Sequence, residues 1–120
     1  MDKFTLVLGQ ASSYLPGNTW TEYEVEVLQD KMICTCKKDN STVVEISYSE
    51  FKEAEFGIGS GNLWLQCVLE NGDLYFCSPR KSWKSKAAEK LINEINSACG
   101  IHGMKTYKRF TGPFGVFSTF

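Results

Sequence analysis

Apolar and polar residues alternate with a period of two through most of the first eighty positions, and the period then lengthens to that of a helix. Phe4, Leu6 and Leu8 share one face of a first strand. Gly9 to Thr19, with its turn at Pro16-Gly17, is a loop. Tyr23, Val25 and Val27 then alternate with Glu22, Glu24 and Glu26, the pattern of a strand with one packed face and one wet face. Past a turn at Gln29-Asp30, Met32, Cys34 and Cys36 line a return strand, and past Asp39-Asn40-Ser41, Val44, Ile46 and Tyr48 line the next. Ser49 to Phe56 fits either a helical turn (Phe51, Ala54, Glu55) or alternation (Phe51, Glu53, Glu55), and a short strand is the better fit to its surroundings. Gly57, Gly59 and Gly61 predict a flexible hairpin loop. Leu63, Leu65, Cys67 and Leu69 alternate up to a two-residue turn at Asn71-Gly72, and Leu74 and Phe76 continue on the way back.

From Trp83 the spacing is helical. Trp83, Ala87, Ala88, Leu91, Ile92, Ile95 and Cys99 form one face, leaving Lys84, Lys86, Glu89, Lys90 and Glu94 for water. Ser82 or Ser85 can cap the first amides, and Gly100 stands where a helix ends. Seven strands and one C-terminal helix joined by short connections predict an α+β fold of mostly antiparallel neighbours.

At 120 residues the chain is expected to form one domain over residues 1–100, with a tail over residues 101–120 that packs on the same domain or on a partner. A content of 42% hydrophobic and 22% charged residues is that of a globular protein. No apolar run approaches the roughly 20 residues of a bilayer-crossing helix, and Met1-Asp2-Lys3-Phe4 does not open a signal peptide, so a cytoplasmic location is expected. Five cysteines with no zinc-type spacing are read as free thiols, most of them small core residues. The net charge of −1 hides an asymmetry: residues 1–60 hold five lysines against ten acids, and residues 61–120 hold eight basic residues against four acids. Such a distribution can steer a charged partner or pair two copies head to tail.

The fourth-strand segment Val44-Glu45-Ile46-Ser47-Tyr48-Ser49-Glu50, the Leu63 to Phe76 hairpin and the Trp83 to Ala98 helix, in that order, resemble the pleckstrin-homology-like (PH-like) fold, most closely the small bacterial PH-like domains. The resemblance covers about residues 4–99 and rests on polarity patterns. It implies a partly open barrel of about seven antiparallel strands with the helix plugging one end, and a non-enzymatic binding role. Lipid-binding members use several Lys and Arg on the first hairpin. Here Gln10 to Trp20 has neither, and three glutamates follow, which counts against phosphoinositide binding at that site.

Candidate functional residues fall into three groups. Arg80, Lys81, Lys84, Lys86 and Lys90 form a basic cluster that could meet an anionic membrane surface, although its plainer reading is a solvated helix face. A pI near 5.8 does not suit a nucleic-acid binder. Trp64 points away from Leu63 and Leu65 and is the better candidate for a contact surface than Trp83, which docks the helix. In the tail, Phe110, Phe114, Phe117 and Phe120 show no regular helical pattern and must be covered, either by their own domain or by a partner or second copy. His102 has no nucleophile or orienting carboxylate assigned to it, and Gly57-x-Gly-x-Gly61 lacks the strand–turn–helix context of a phosphate loop. No catalytic residue, metal or cofactor is expected. The expectation is a protein-interaction domain, self-associating, with an anionic-lipid binder as the alternative.

Overall fold

The period-two segments fold as strands, and their apolar positions turn to one side. The structure, a computed structural model, describes residues 3–10, 20–59 and 61–112. Among these are strands β1 (Lys3–Gln10), β2 (Thr21–Val27), β3 (Lys31–Cys36), β4 (Val43–Ser47), β5 (Phe51–Gly59), β6 (Asn62–Leu69), β7 (Gly72–Pro79) and β8 (Ile101–His102). Three helices complete them: α1 (Arg80–Trp83), α2 (Lys86–Cys99) and α3 (Met104–Thr111). A single turn of 3-10 helix, Tyr48–Glu50, carries the chain from β4 to β5.

The sheet order is β4-β3-β2-β1-β7-β6-β5-β8, antiparallel throughout except for the β5–β8 pair. Strand β1 is where the sheet turns a corner. Its Lys3 to Leu8 stretch pairs with β2, its Val7 to Gln10 stretch pairs with β7, and only Val7 and Leu8 stand in both ladders. The two halves therefore face each other across a core that includes Leu6, Leu8, Val25, Met32, Ile46, Leu63, Leu65 and Phe76. Helix α2 closes the open side, packing on β1, β2, β5 and the 3-10 turn through Ala87, Ala88, Leu91, Ile92 and Ile95.

Several expectations are refined by local chemistry. The helix is two helices. Ser85 adopts an extended backbone and its Oγ accepts a hydrogen bond from the Ala88 amide at 3.1 Å, so Ser85 caps α2 and breaks it from α1. Gly100, at φ +76°, ends α2 in the backbone region that disfavours side chains. The β6–β7 turn is Glu70-Asn71, because Leu69 pairs with Gly72. The ambiguous segment after Ser49 is a strand with an irregularity between Phe51 and Glu53, which turns Phe51, Ala54 and Phe56 inward and explains why neither simple period fits it. That strand runs on through Gly57 to Gly59, where a loop was expected.

Residues 101–112 continue the fold. Ile101 and His102 lie parallel to Ala54 and Glu55, and α3 packs on β5 and α1. Tyr107 stacks on Phe56 with ring centroids 5.2 Å apart and donates its hydroxyl hydrogen to the Trp83 carbonyl at 3.2 Å. Its burial, assisted by Glu89, pushes the phenol up to about 12. Arg80 donates to the Gly112 carbonyl and so ties α1 to the end of α3. All five cysteines are free thiols; burial pushes Cys34 up to about 12 and Cys67 well above its ordinary value, which keeps both unreactive near neutral pH.

Candidate functional site

Where the core strands alternate, the outward positions make a second surface. Val7 and Gly9 on β1 lie opposite Cys77 and Tyr75 on β7, and these lie opposite Trp64 and Gln66 on β6. Because Gly9 has no side chain, Trp20 can lie directly over it. A Cβ built on Gly9 would fall 2.3 Å from the Trp20 ring carbon Cε3. From that position the Trp20 ring meets Trp64 edge to face, at 5.3 Å and 81°, and tilts onto Tyr75 at 5.9 Å. Trp64 is itself fixed: its indole N–H donates to the Gly59 carbonyl at 3.0 Å. Three aromatic rings from three parts of the chain thus form one face on the outside of the sheet. Trp20 keeps 49% of its surface exposed, while Trp64 and Tyr75 are half-buried.

A groove lies on either side of this face. One, of about 400 Å³, is lined by Trp20, Thr21, Glu22, Lys37 and Lys38. The other, of about 450 Å³, runs beside Trp64 over Glu55, Gly57, Gly59 and Gln66. It continues into a smaller depression lined by Glu53, Ala54, Glu55, Gln66, Val68 and His102. His102 and Glu55 are register partners there, and none of those six lining residues is a serine, threonine or cysteine that such a pair could activate. Chemically the surface is suited to contact: rigid aromatic area with carboxylates and lysines around it.

The role of Gly9 gives a direct test. In Gly9→Ala the methyl group displaces the Trp20 ring, so the indole signals of Trp20 and Trp64 should both shift in a ¹⁵N-labelled spectrum while that of Trp83 stays in place. The urea midpoint should move by the equivalent of no more than about 1 kcal/mol, since Trp20 is outside the core. An unmoved Trp20 signal would show that the ring does not rest on Gly9.

The residues singled out from sequence are placed as follows. Trp64 is on the aromatic face. Lys81, Lys84 and Lys86 are exposed around the α1–α2 junction, whereas Arg80 and Lys90 are half-buried and Arg80 is engaged with Gly112. Phe110 is 5% exposed and packs in the core, so its ring is out of a partner's reach while α3 stays seated. Phe114, Phe117 and Phe120 lie outside the described residues. Trp83 is fully buried, as expected of the residue that docks the helix. Trp20, Tyr75 and Gly9 are the residues that sequence reasoning did not bring to the site. Alternation alone places Tyr75 outward with Trp64, between the inward Leu74 and Phe76, and that signal could have found it. Nothing local shows that Trp20 folds back over Gly9.

No family model matches the chain, and no curated protein matches it. Among solved structures it is similar to the pleckstrin homology (PH) domain of USP37, with a TM-score of 0.60 and 15% sequence identity over 82% of this chain and 97% of that one. That likeness shows the fold: the chain has the PH-like fold, a mostly antiparallel curved sheet closed by helix α2. No helix among the described residues is long and apolar enough to cross a membrane.

Proposed function

We propose that this PH-like domain is a non-enzymatic binding module that meets a protein partner, a second copy of itself included, through the Trp20–Trp64–Tyr75 face. The observation that supports the reading is the setting of Trp20. A large apolar ring with half its surface in water is held in a fixed place by a glycine beneath it and two aromatic rings beside it. Preformed aromatic area of this kind loses little side-chain entropy on contact, which is why Trp and Tyr dominate binding energy at protein interfaces. Structural likeness to a PH domain, a type of module whose members mostly bind, agrees with that reading.

The second reading is a peripheral binder of anionic membrane, and the exposed Lys81, Lys84 and Lys86 favour it. The two separate in one set of measurements on the full chain. Its weight-average mass by sedimentation equilibrium should rise above that of a monomer toward high micromolar concentration, and should stay monomeric in Trp20→Ser. Neither protein should co-sediment with phosphatidylserine-containing vesicles. Salt-sensitive vesicle binding that is lost in Lys84→Glu/Lys86→Glu and kept in Trp20→Ser would overturn the protein-contact reading in favour of the membrane.

A further inference from the structure

We propose that the groove along the outer side of β5 and β6 takes an extended, arginine-bearing segment of a partner protein, with the guanidinium flat on Trp64 and its N–H groups on Glu55. This rests on the reading that the outer face is a contact surface, and adds to it the chemistry of what is contacted.

The groove selects its occupant by what it lacks. Its lining is Glu55, Phe56, Gly57, Ile58, Gly59, Trp64 and Gln66, and its extension adds Glu53, Ala54, Val68 and His102. No lysine or arginine is among these, and among the described residues none pairs with Glu53 or Glu55. An anionic ligand would meet two carboxylates with no cation to balance them. A purely apolar ligand would cover Glu55 without giving it a partner, at a desolvation cost. A cation answers both features of the site. Trp64 spends its N–H on Gly59, so a ligand in the groove meets its ring system and not a free donor, and the face of that ring attracts a cation.

Arginine fits better than lysine. Trp64 and Glu55 are diagonal neighbours, because Gly57 is opposite Trp64 and Glu55 is opposite Gln66. Diagonal side chains on one sheet face stand roughly 7–8 Å apart, a span that a planar guanidinium can cover by stacking on one group and forking to the other. The room for it comes from Gly57: a Cβ there would have nothing within 4 Å, so the space over the strand is open. The occupant is extended because the groove follows a strand. Glu53, Glu55, Gly57 and Gly59 occupy successive outward positions of β5, so a side chain two residues from the arginine would lie about 6.6 Å along. That is one outward position away, where Val68, 40% exposed, offers an apolar contact opposite Glu53. The favoured segment therefore carries arginine, any residue, then a small apolar residue.

The test uses the full chain, ¹⁵N-labelled, titrated with the acetylated peptide amide Gly-Ser-Arg-Ser-Val-Gly and with the same peptide carrying neutral citrulline for arginine. The arginine peptide should shift the Trp64 indole and the Gly57 and Gly59 amides with a Kd at or below about 1 mM. The citrulline peptide, and the arginine peptide on Glu55→Gln, should bind about tenfold more weakly, since a charge-assisted contact is lost. Gly57→Val fills the groove at a position with an ordinary strand backbone and free space, so it should abolish the shifts while the rest of the spectrum stays dispersed. Equal binding of the two peptides, shifts centred on Lys37 and Lys38, or no shift at millimolar peptide would each overturn the inference. None of these results bears on the aromatic contact itself, which fails separately if association is unchanged in Trp20→Ser.

Discussion

Replacing Trp83 by alanine is expected to remove most of the protein's stability. Trp83 is fully buried and stands at the meeting point of four elements of the fold. Its ring packs edge to face on Phe56 of β5 at 5.9 Å, edge to face on Tyr107 of α3 at 6.4 Å, and at a tilt on Phe4 of β1 at 6.3 Å. Its indole N–H donates to the Leu63 carbonyl on β6 at 3.0 Å. Truncating a buried Trp or Phe to alanine costs about 3–5 kcal/mol through lost contacts and the cavity left behind. Loss of the hydrogen bond leaves Leu63 one partner short and adds about 1–3 kcal/mol. Against a typical net stability of about 5–15 kcal/mol, the variant is left marginal or unfolded at 25 °C. Trp83→Phe keeps a ring but not the donor and should fall between the variant and the native chain. Urea unfolding followed by circular dichroism reads all three, and a loss below about 1 kcal/mol in Trp83→Ala would mean that the helix end is not anchored through this ring.

Faces were legible in this chain, and partners were not. Every apolar position in the alternating stretches from Phe4 to Phe76 assigned to an inward face is buried or half-buried, because the side-chain period of a strand follows from its backbone geometry. Pairing depends on where turns fall. Placing the β6–β7 turn at Asn71-Gly72 would put Tyr75 opposite Val68, whereas the observed Glu70-Asn71 turn puts it opposite Gln66. The slip moves each partner by two residues, so it keeps all the faces while changing which side chains are neighbours. The aromatic face was half legible for the same reason. Trp64 and Tyr75 are outward by alternation, but Gly9 matters only once β1 is known to lie beside β7, and that contact joins residues far apart in the sequence. Helix α3 escaped notice because its two turns are anchored by Met104, Tyr107 and Phe110, a run too short to stand out as a period. Its left-handed start at Gly103, where a Cβ would come within 3.2 Å of the Phe56 carbonyl, is visible only against β5.

Ending the chain at Gly100 is the second change expected to be severe, and it decides what residues 101–112 are for. If they were an appendage, the remaining strands and α2 would fold as before. The contacts argue otherwise. The Ile101 amide donates to the Asn96 side-chain carbonyl at 2.9 Å, and Ile101 extends the sheet beside Ala54. Tyr107 covers Phe56 and Trp83, Phe110 joins the core, and Gly112 holds Arg80. Each buried large apolar side chain contributes about 1.5–3 kcal/mol. The segment's own ordering entropy offsets part of that gain, but truncation also uncovers Phe56 and the Trp83 environment, which lose their cover with no entropy returned. The expected product is a chain with a lowered, broadened thermal transition that binds a hydrophobic dye and tends to associate through the exposed β5 edge. A chain ending at Gly112 keeps all of these contacts and should retain the sharp transition. The solution mass of the two truncated forms beside the full chain separates the alternatives: a well-folded monomer ending at Gly100 would show that the segment is dispensable to its own domain and would free Phe110 for a partner.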